Sequence, residues 1–270
     1  MALHGIGAGV GFFGALLGSL IVTANAGAHE LCTAIADAAT QQVLLQRGDC
    51  ATRVTPASTF KIAISLMGYD SGFLKDQHTP TIAFRKGYLD WRENWMHDTD
   101  PGKWMRDSVV WYSQQITRSL GPARFAAYTR QFGYGNADVA GDAEHDGLTL
   151  SWIGSSLRIS PLEQLSFLSK LVTRQLGVSE HAYAMTALLT AYGPLPGGWD
   201  VHGKIGAASG YGWYVGWAAK GARTVVFARL MRPDDTDPQD VPAGVLAREA
   251  LLKELPALLA PLAQLAPLAQ

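Results

Sequence analysis

The chain has 270 residues, a formal net charge of -1 and 17% charged residues. That length allows one large domain or two interleaved lobes, with a core able to hold a dry active site and no need of a metal or cross-link to fold. No Lys/Arg run supplies an electrostatic footprint for DNA, RNA or an anionic membrane surface, so nucleic-acid binding is not expected.

Residues Gly5 to Val22 are apolar and rich in glycine, and Ala24-Asn25-Ala26 comes next with small residues at the spacing signal peptidase prefers. Residues 1–26 therefore read as a cleaved export signal. The mature protein is expected to be periplasmic or secreted, without stable membrane insertion. The absence of Lys or Arg ahead of the apolar stretch keeps a retained anchor open as the alternative. Cys32 and Cys50 are the only cysteines. An oxidising compartment permits them to pair as a structural disulfide, and nothing near either would activate a thiolate; two buried free thiols are the alternative.

Leu31 to Ala38 and Gln42 to Gln46 read as two short strands around a polar turn. Thr55-Pro56-Ala57-Ser58 reads as a helix start, with Thr55 as cap and Pro56 in the first turn, leading an apolar helix from Ser58 to about Gly68. From Gly72 to Gly154 the pattern is helical and loop-rich, with Trp91, Trp95, Trp104 and Trp111 spread through it. Ser160-Pro161-Leu162-Glu163 makes a capping box ahead of Leu165, Leu168, Leu171 and Val172, spaced as a buried helix face. Gly203 to Ala207, Gly212 to Ala219 and Arg223 to Met231 read as strands, and Val245 to Leu259 as a closing helix. From Pro256 the tail repeats Ala, Pro, Leu and Gln; its prolines should interrupt a long helix, leaving residues 259–270 as a loose terminus. Strands at both ends around a helical insert give an α+β architecture: an antiparallel-sheet lobe flanked by helices, with an all-helical lobe of about residues 70–155 inserted, and residues 27–258 as one domain. The cleft between the lobes is where chemistry is expected.

Ser58-Thr59-Phe60-Lys61 puts a hydroxyl and an amine on one helix face, within mutual reach. A serine nucleophile needs a base. Lys61 precedes Ile62, Ala63, Ile64, Leu66 and Met67, and apolar surroundings favour the neutral amine. Ser-x-x-Lys alone is most often ordinary helix surface. Its weight comes from four segments further along the chain: Ser108-Val109-Val110, Tyr134-Gly135-Asn136, Trp152, and Lys204-Ile205-Gly206 opening a strand. Seen singly, each has a plainer reading as a cap, a turn or core. The seven histidines show no metal-ligand spacing, His29-Glu30 lacks the second histidine of a zinc-protease helix, and Asp234-Asp235-Thr236-Asp237 reads as a solvated loop. No metal is expected.

Together these motifs resemble the class D β-lactamases, the oxacillinase family of penicillin-recognising serine enzymes. The likeness runs from about Leu31 to Leu255 and includes Pro56-Ala57-Ser58-Thr59-Phe60-Lys61, Ser155-Ser156-Leu157-Arg158-Ile159-Ser160 and Gly212-Trp213-Tyr214-Val215-Gly216-Trp217. The resemblance implies that Ser58 attacks a β-lactam carbonyl and that Lys61, N-carboxylated by CO2 or bicarbonate, is the base for acylation and deacylation. Trp152 would hold the carbamate through its indole N–H while Val110 keeps the pocket dry. Ser108 and Lys204 would pass a proton to the leaving nitrogen, and the backbone N–H groups of Ser58 and Ala207 would form the oxyanion hole. Tyr134, Asn136, Ile205 and Gly206 would line or shape the substrate site. No diffusible cofactor beyond CO2 is implied, and the small-molecule β-lactam is the expected partner.

Three departures from the family pattern stand out. Lys204-Ile205-Gly206 lacks the hydroxyl of the usual Lys-Thr-Gly or Lys-Ser-Gly. Leu246 occupies the place expected for a carboxylate-clamping arginine, with Arg248 two residues on as a substitute that should face another direction. Only Ala207 to Tyr211 separate the lysine strand from the next, a short rim for the cleft. The alternatives are a β-lactam sensor domain, a transpeptidase or carboxypeptidase that acylates without efficient turnover, and a binding protein with a decayed site. A single apolar N-terminal segment without a protease-like stretch speaks against the sensor, and Trp152 with a dry lysine pocket speaks for hydrolysis.

Overall fold

The computed structural model describes Met1, residues 30–238 and residues 240–261. The expected export signal and most of the expected loose tail lie outside these residues.

Strands β1 (Glu30–Asp37) and β2 (Val43–Gly48) form the expected N-terminal hairpin. Its turn is fixed by Asp37, whose Oδ1 accepts from the N–H groups of Ala39 (3.1 Å) and Thr40 (3.0 Å). A 3-10 turn, Ala57–Phe60, leads into α1 (Lys61–Asp70). Then come α2 (Pro101–Asp107), α3 (Val110–Gln131) and α4 (Gly147–Gly154). The long α3 is kinked at Gly121-Pro122, where Gly121 has φ +73°: proline cannot donate its N–H and glycine tolerates the reversal. Helix α5 (Pro161–Val172) starts at the capping box read from sequence, with Ser160 and Glu163 bonding each other's backbone N–H.

Helix α6 (Glu180–Thr190) and strand β3 (Ala191–Leu195) come next, then β4 (Trp199–Ala208), β5 (Tyr211–Lys220), β6 (Arg223–Met231) and α7 (Ala243–Leu259). The six strands lie in the order β2-β1-β6-β5-β4-β3, every neighbour antiparallel. Pairing of β1 with β6 closes the N-terminal hairpin onto the C-terminal meander, and β1, inside the sheet, is buried along most of its length. Sequence reading missed β3, because its Gly193 and Pro194 argue against a strand; at the sheet edge a missing N–H is tolerated.

Helix α7 covers one face of the sheet, packing across β4, β5 and β6, while α5 packs on β1 and β6 from the other side. Helix α7 ends at Leu259, where the sequence places its end; it runs through Pro256, and Leu251, Leu255 and Leu259 are fully buried beneath it. Burial of a leucine is worth about 1.5–3 kcal/mol, which offsets the loss of one helical hydrogen bond at the proline. The N-terminus of α7 reaches the sheet because Gly206, Gly212 and Gly244 meet there; a Cβ on Gly244 would lie 2.5 Å from the Gly206 carbonyl oxygen. Cys32 and Cys50 are joined in a disulfide that pins β1 to the segment leading to α1. No helix among the described residues is long and apolar enough to cross a membrane.

Candidate active site

Ser58 sits in the 3-10 turn, half-buried, directly after Ala57, whose φ of +49° is left-handed. An L-residue held there costs about 1–3 kcal/mol and persists only where its surroundings over-determine it. The Thr55 carbonyl accepts from the Trp213 indole N–H (3.1 Å) and the Tyr211 hydroxyl (3.2 Å). Thr55 is not the cap expected from sequence: its hydroxyl donates to the Ile153 carbonyl (3.2 Å) and pairs with the Tyr211 hydroxyl, so it binds α4 and β5 to the turn instead.

Three residues after Ser58, the Lys61 amine lies 3.2 Å from its hydroxyl oxygen. Lys61 is fully buried. Burial first, then the charges of Lys204 and Arg92, hold its ammonium well below the usual lysine range, which favours the neutral amine beside the serine.

A second amine–hydroxyl pair faces the first. Ser108 caps α2 with φ +61°, another left-handed non-glycine residue, and its hydroxyl accepts from Lys204 Nζ at 3.1 Å. Lys204 also donates to the Ile205 carbonyl at 3.3 Å. Burial, then the nearby Arg92 and Arg248, bring the Lys204 ammonium down to about 7. Strand β4 approaches the nucleophile turn closely because Gly206 has no side chain: a Cβ there would lie 2.9 Å from the Pro56 carbonyl oxygen and 3.1 Å from the Thr59 nitrogen. Ala207, next along β4, is exposed opposite Gly212.

Val110 and Trp152 are buried. The Trp152 ring packs against Phe60, the neighbour of Lys61, with centroids 5.9 Å apart, and against Phe125 at 6.2 Å. Its indole N–H is buried and finds no hydrogen-bond partner among the described residues. Leaving such a donor unpaired costs about 1–3 kcal/mol, so this pocket is built for an acceptor. A buried amine shifted toward its neutral form, with an orphaned donor on the ring that packs against the neighbouring Phe60, fits a carboxylate-bearing group on Lys61. No group of three or more His, Cys, Asp or Glu suited to a metal occurs among the described residues.

A family model described as penicillin binding protein transpeptidase domain matches residues 31–253. β-Lactamase OXA-9 of Klebsiella pneumoniae is 44% identical over 247 residues, covering 84% of this chain and 88% of its own. The crystal structure of OXA-427, a class D β-lactamase, superposes with a TM-score of 0.81 at 40% identity, covering 86% of this chain and 99% of that one. The chain belongs to the class D β-lactamase family. β-Lactamase OXA-1 of Escherichia coli is 39% identical over 186 residues, covering 66% of this chain and 64% of its own.

Within this class D site, several positions sit differently from the sequence expectation. Tyr134 is fully buried and its hydroxyl accepts from Gln164 Nε2 (3.1 Å), which places it behind the nucleophile turn. Asn136 spends its side chain on the Ser156 carbonyl (2.8 Å) and the Arg158 N–H (2.9 Å), tying two loops together. Ile205 is half-buried and packs toward the cluster beneath α7. Arg248, two residues past the expected arginine, is the α7 residue that turns toward Lys204. It lies with Lys204, Ile205, Tyr192 and Tyr214 along a groove of about 360 Å³, its guanidinium 5.8 Å from the Tyr192 ring centroid. Its Nε and the Tyr214 hydroxyl are buried without partners among the described residues. Leu246 lies instead beside Glu30, Arg229 and Met231. The β4–β5 connection is the two-residue turn Ser209-Gly210, so the rim is as short as the sequence implies. A larger cavity of about 490 Å³ lies away from all four amine and hydroxyl groups, lined by Pro122, Phe125, Arg130 and Leu148.

Sequence reasoning missed Arg92 and Gln164. Arg92 lies in a loop with no pattern to mark it, yet its charge acts on both buried lysines, with its guanidinium 5.7 Å from the Trp95 ring centroid. Gln164 was visible as a polar residue on an otherwise apolar face of α5, but nothing in the sequence names its partners.

Proposed function

We propose that this chain hydrolyses β-lactams through an acyl-enzyme on Ser58, with Lys61 as the site of the base. The observation that carries the reading is the pair of buried lysines, each within hydrogen-bond distance of a serine, at 3.2 and 3.1 Å. The neutral Lys61 side takes the Ser58 proton as its oxygen attacks the lactam carbonyl. The N–H groups of Ser58 and Ala207 stabilise the oxyanion, aided by the start of α1. The Lys204 ammonium delivers a proton through the Ser108 hydroxyl to the departing ring nitrogen. Lys204 and Arg248 attract the substrate carboxylate, and Ile205 supplies no hydroxyl beside them.

The orphaned Trp152 N–H and the desolvated Lys61 amine fit carboxylation of Lys61 by CO2, the residues that would hold the group being Trp152 and, as a dry wall, Val110. When bound, that group supplies a carboxylate base beside Ser58. Only a neutral amine takes up CO2, and burial shifts Lys61 toward that form. The Cys32–Cys50 disulfide supports export to the periplasm or beyond.

Hydrolysis of a chromogenic cephalosporin and of oxacillin, with and without bicarbonate, tests this. Turnover that bicarbonate stimulates is the expected result. A stoichiometric burst that stops would replace it with a sensor or transpeptidase, and no reaction at all with a decayed site.

A further inference from the structure

The nucleophile turn is held from β5 at Thr55 and approached by β4 at Gly206, yet Ala57 keeps a left-handed φ within it. A third support comes from behind, from α5. Gln164 is 1% exposed, and both its donated bonds go to this region: Nε2 reaches the Thr59 hydroxyl at 3.1 Å and the Tyr134 hydroxyl at 3.1 Å. The Thr59 hydroxyl donates in turn to the Pro56 carbonyl at 2.7 Å, closing a loop around Ala57 and Ser58. Thr59 and Tyr134 are as buried as Gln164, so water cannot replace these bonds. Helix α5 is itself fixed, by the capping box at its start and by packing on β1 and β6.

We propose that Gln164 is a positioning residue for Ser58: its amide transmits the rigidity of α5 through Thr59 to the strained turn and holds the serine hydroxyl beside Lys61. The inference rests on the reading of Ser58 as nucleophile. The bonds of Gln164 run to Thr59 and Tyr134 behind the turn, and it is Thr59 that carries the effect to Ser58. Removing it frees the turn to relax from the left-handed conformation, and displacement of a nucleophile by about 1 Å costs up to about a hundredfold in rate.

The test is the acylation rate of the full chain, read by stopped-flow and by intact mass, for Gln164→Leu, Thr59→Val, their double variant, Thr59→Ser and Ser58→Ala. Gln164→Leu and Thr59→Val should each slow acylation about ten- to a hundredfold. The double variant should be no slower than either, and Thr59→Ser, which keeps the hydroxyl, should restore most of the rate. The bicarbonate concentration giving half-maximal activity should stay at the wild-type value, since the Lys61 pocket is untouched. Lowered melting temperature with wild-type acylation, or additive losses in the double variant, would overturn the proposal. Should Ser58→Ala still form the adduct, the underlying reading of the nucleophile fails instead.

Discussion

Replacing Trp152 with Phe separates two energies that share one indole N–H. Without an acceptor the N–H is buried and unpaired, which already costs about 1–3 kcal/mol, so its removal sacrifices no hydrogen bond in CO2-free protein. What remains is the packing lost where the smaller ring meets Phe60 and Phe125, offset by relief of that penalty. With Lys61 carboxylated as proposed, the same N–H would bond to a charged oxygen, worth about 1.5–3 kcal/mol, or roughly ten- to 150-fold in the carboxylation equilibrium. The assay is kcat against bicarbonate concentration in degassed buffer, with urea unfolding at zero and saturating bicarbonate. Trp152→Phe should raise the half-saturating bicarbonate at least about tenfold while changing CO2-free stability little, and the bicarbonate-dependent gain in stability should shrink. An unchanged half-saturation with a large loss of CO2-free stability would refute the reasoning and make Trp152 simple core.

Arg248→Ala should raise KM for penicillins about tenfold with kcat largely kept, since a charge contact equal in ground and transition states is lost; a fall in kcat alone would contradict this. Ile205→Thr, restoring a hydroxyl beside Lys204, should raise kcat/KM about tenfold, and an unchanged value would remove that position from carboxylate recognition. The Lys204 ammonium titrates near 7 in the folded protein and near 10.5 when unfolded. Its cationic form is therefore lost as pH rises through about 7, and KM for penicillins should rise with it. Between about 7 and 10.5 the unfolded chain binds the extra proton, so stability from this lysine should increase with pH, and Lys204→Met should flatten that slope in urea titrations. Replacing both Cys32 and Cys50 with Ser should lower stability by about 3 kcal/mol, the loop-closure value for a bridge separated by 18 residues.

The strands of the meander, the capping box of α5 and the N-terminal hairpin were legible because each is written locally, in alternation, turn residues or a Ser-x-x-Glu pattern. The edge strand β3 was not, since Gly193 and Pro194 carry no strand signal and its place is decided by pairing with β4. Thr55 shows the same limit: a good cap residue by type, it is claimed by Ile153 and Tyr211, which are distant in sequence. In the site, the Ser-x-x-Lys tetrapeptide and Lys204 could be read from spacing and resemblance. The orientation of Arg248 could not, because the packing of α7 on the sheet decides which of its side chains faces the groove. Arg92 and Gln164 act through contacts that no periodicity encodes.

The most direct test of the account is intact-mass spectrometry of the full chain, quenched at intervals after mixing with a penicillin. A covalent adduct of the whole β-lactam should form, map to Ser58 by peptide sequencing and decay as hydrolysed product accumulates; in Lys61→Ala it should form slowly and persist. An adduct on another residue, or turnover by Ser58→Ala, would contradict it.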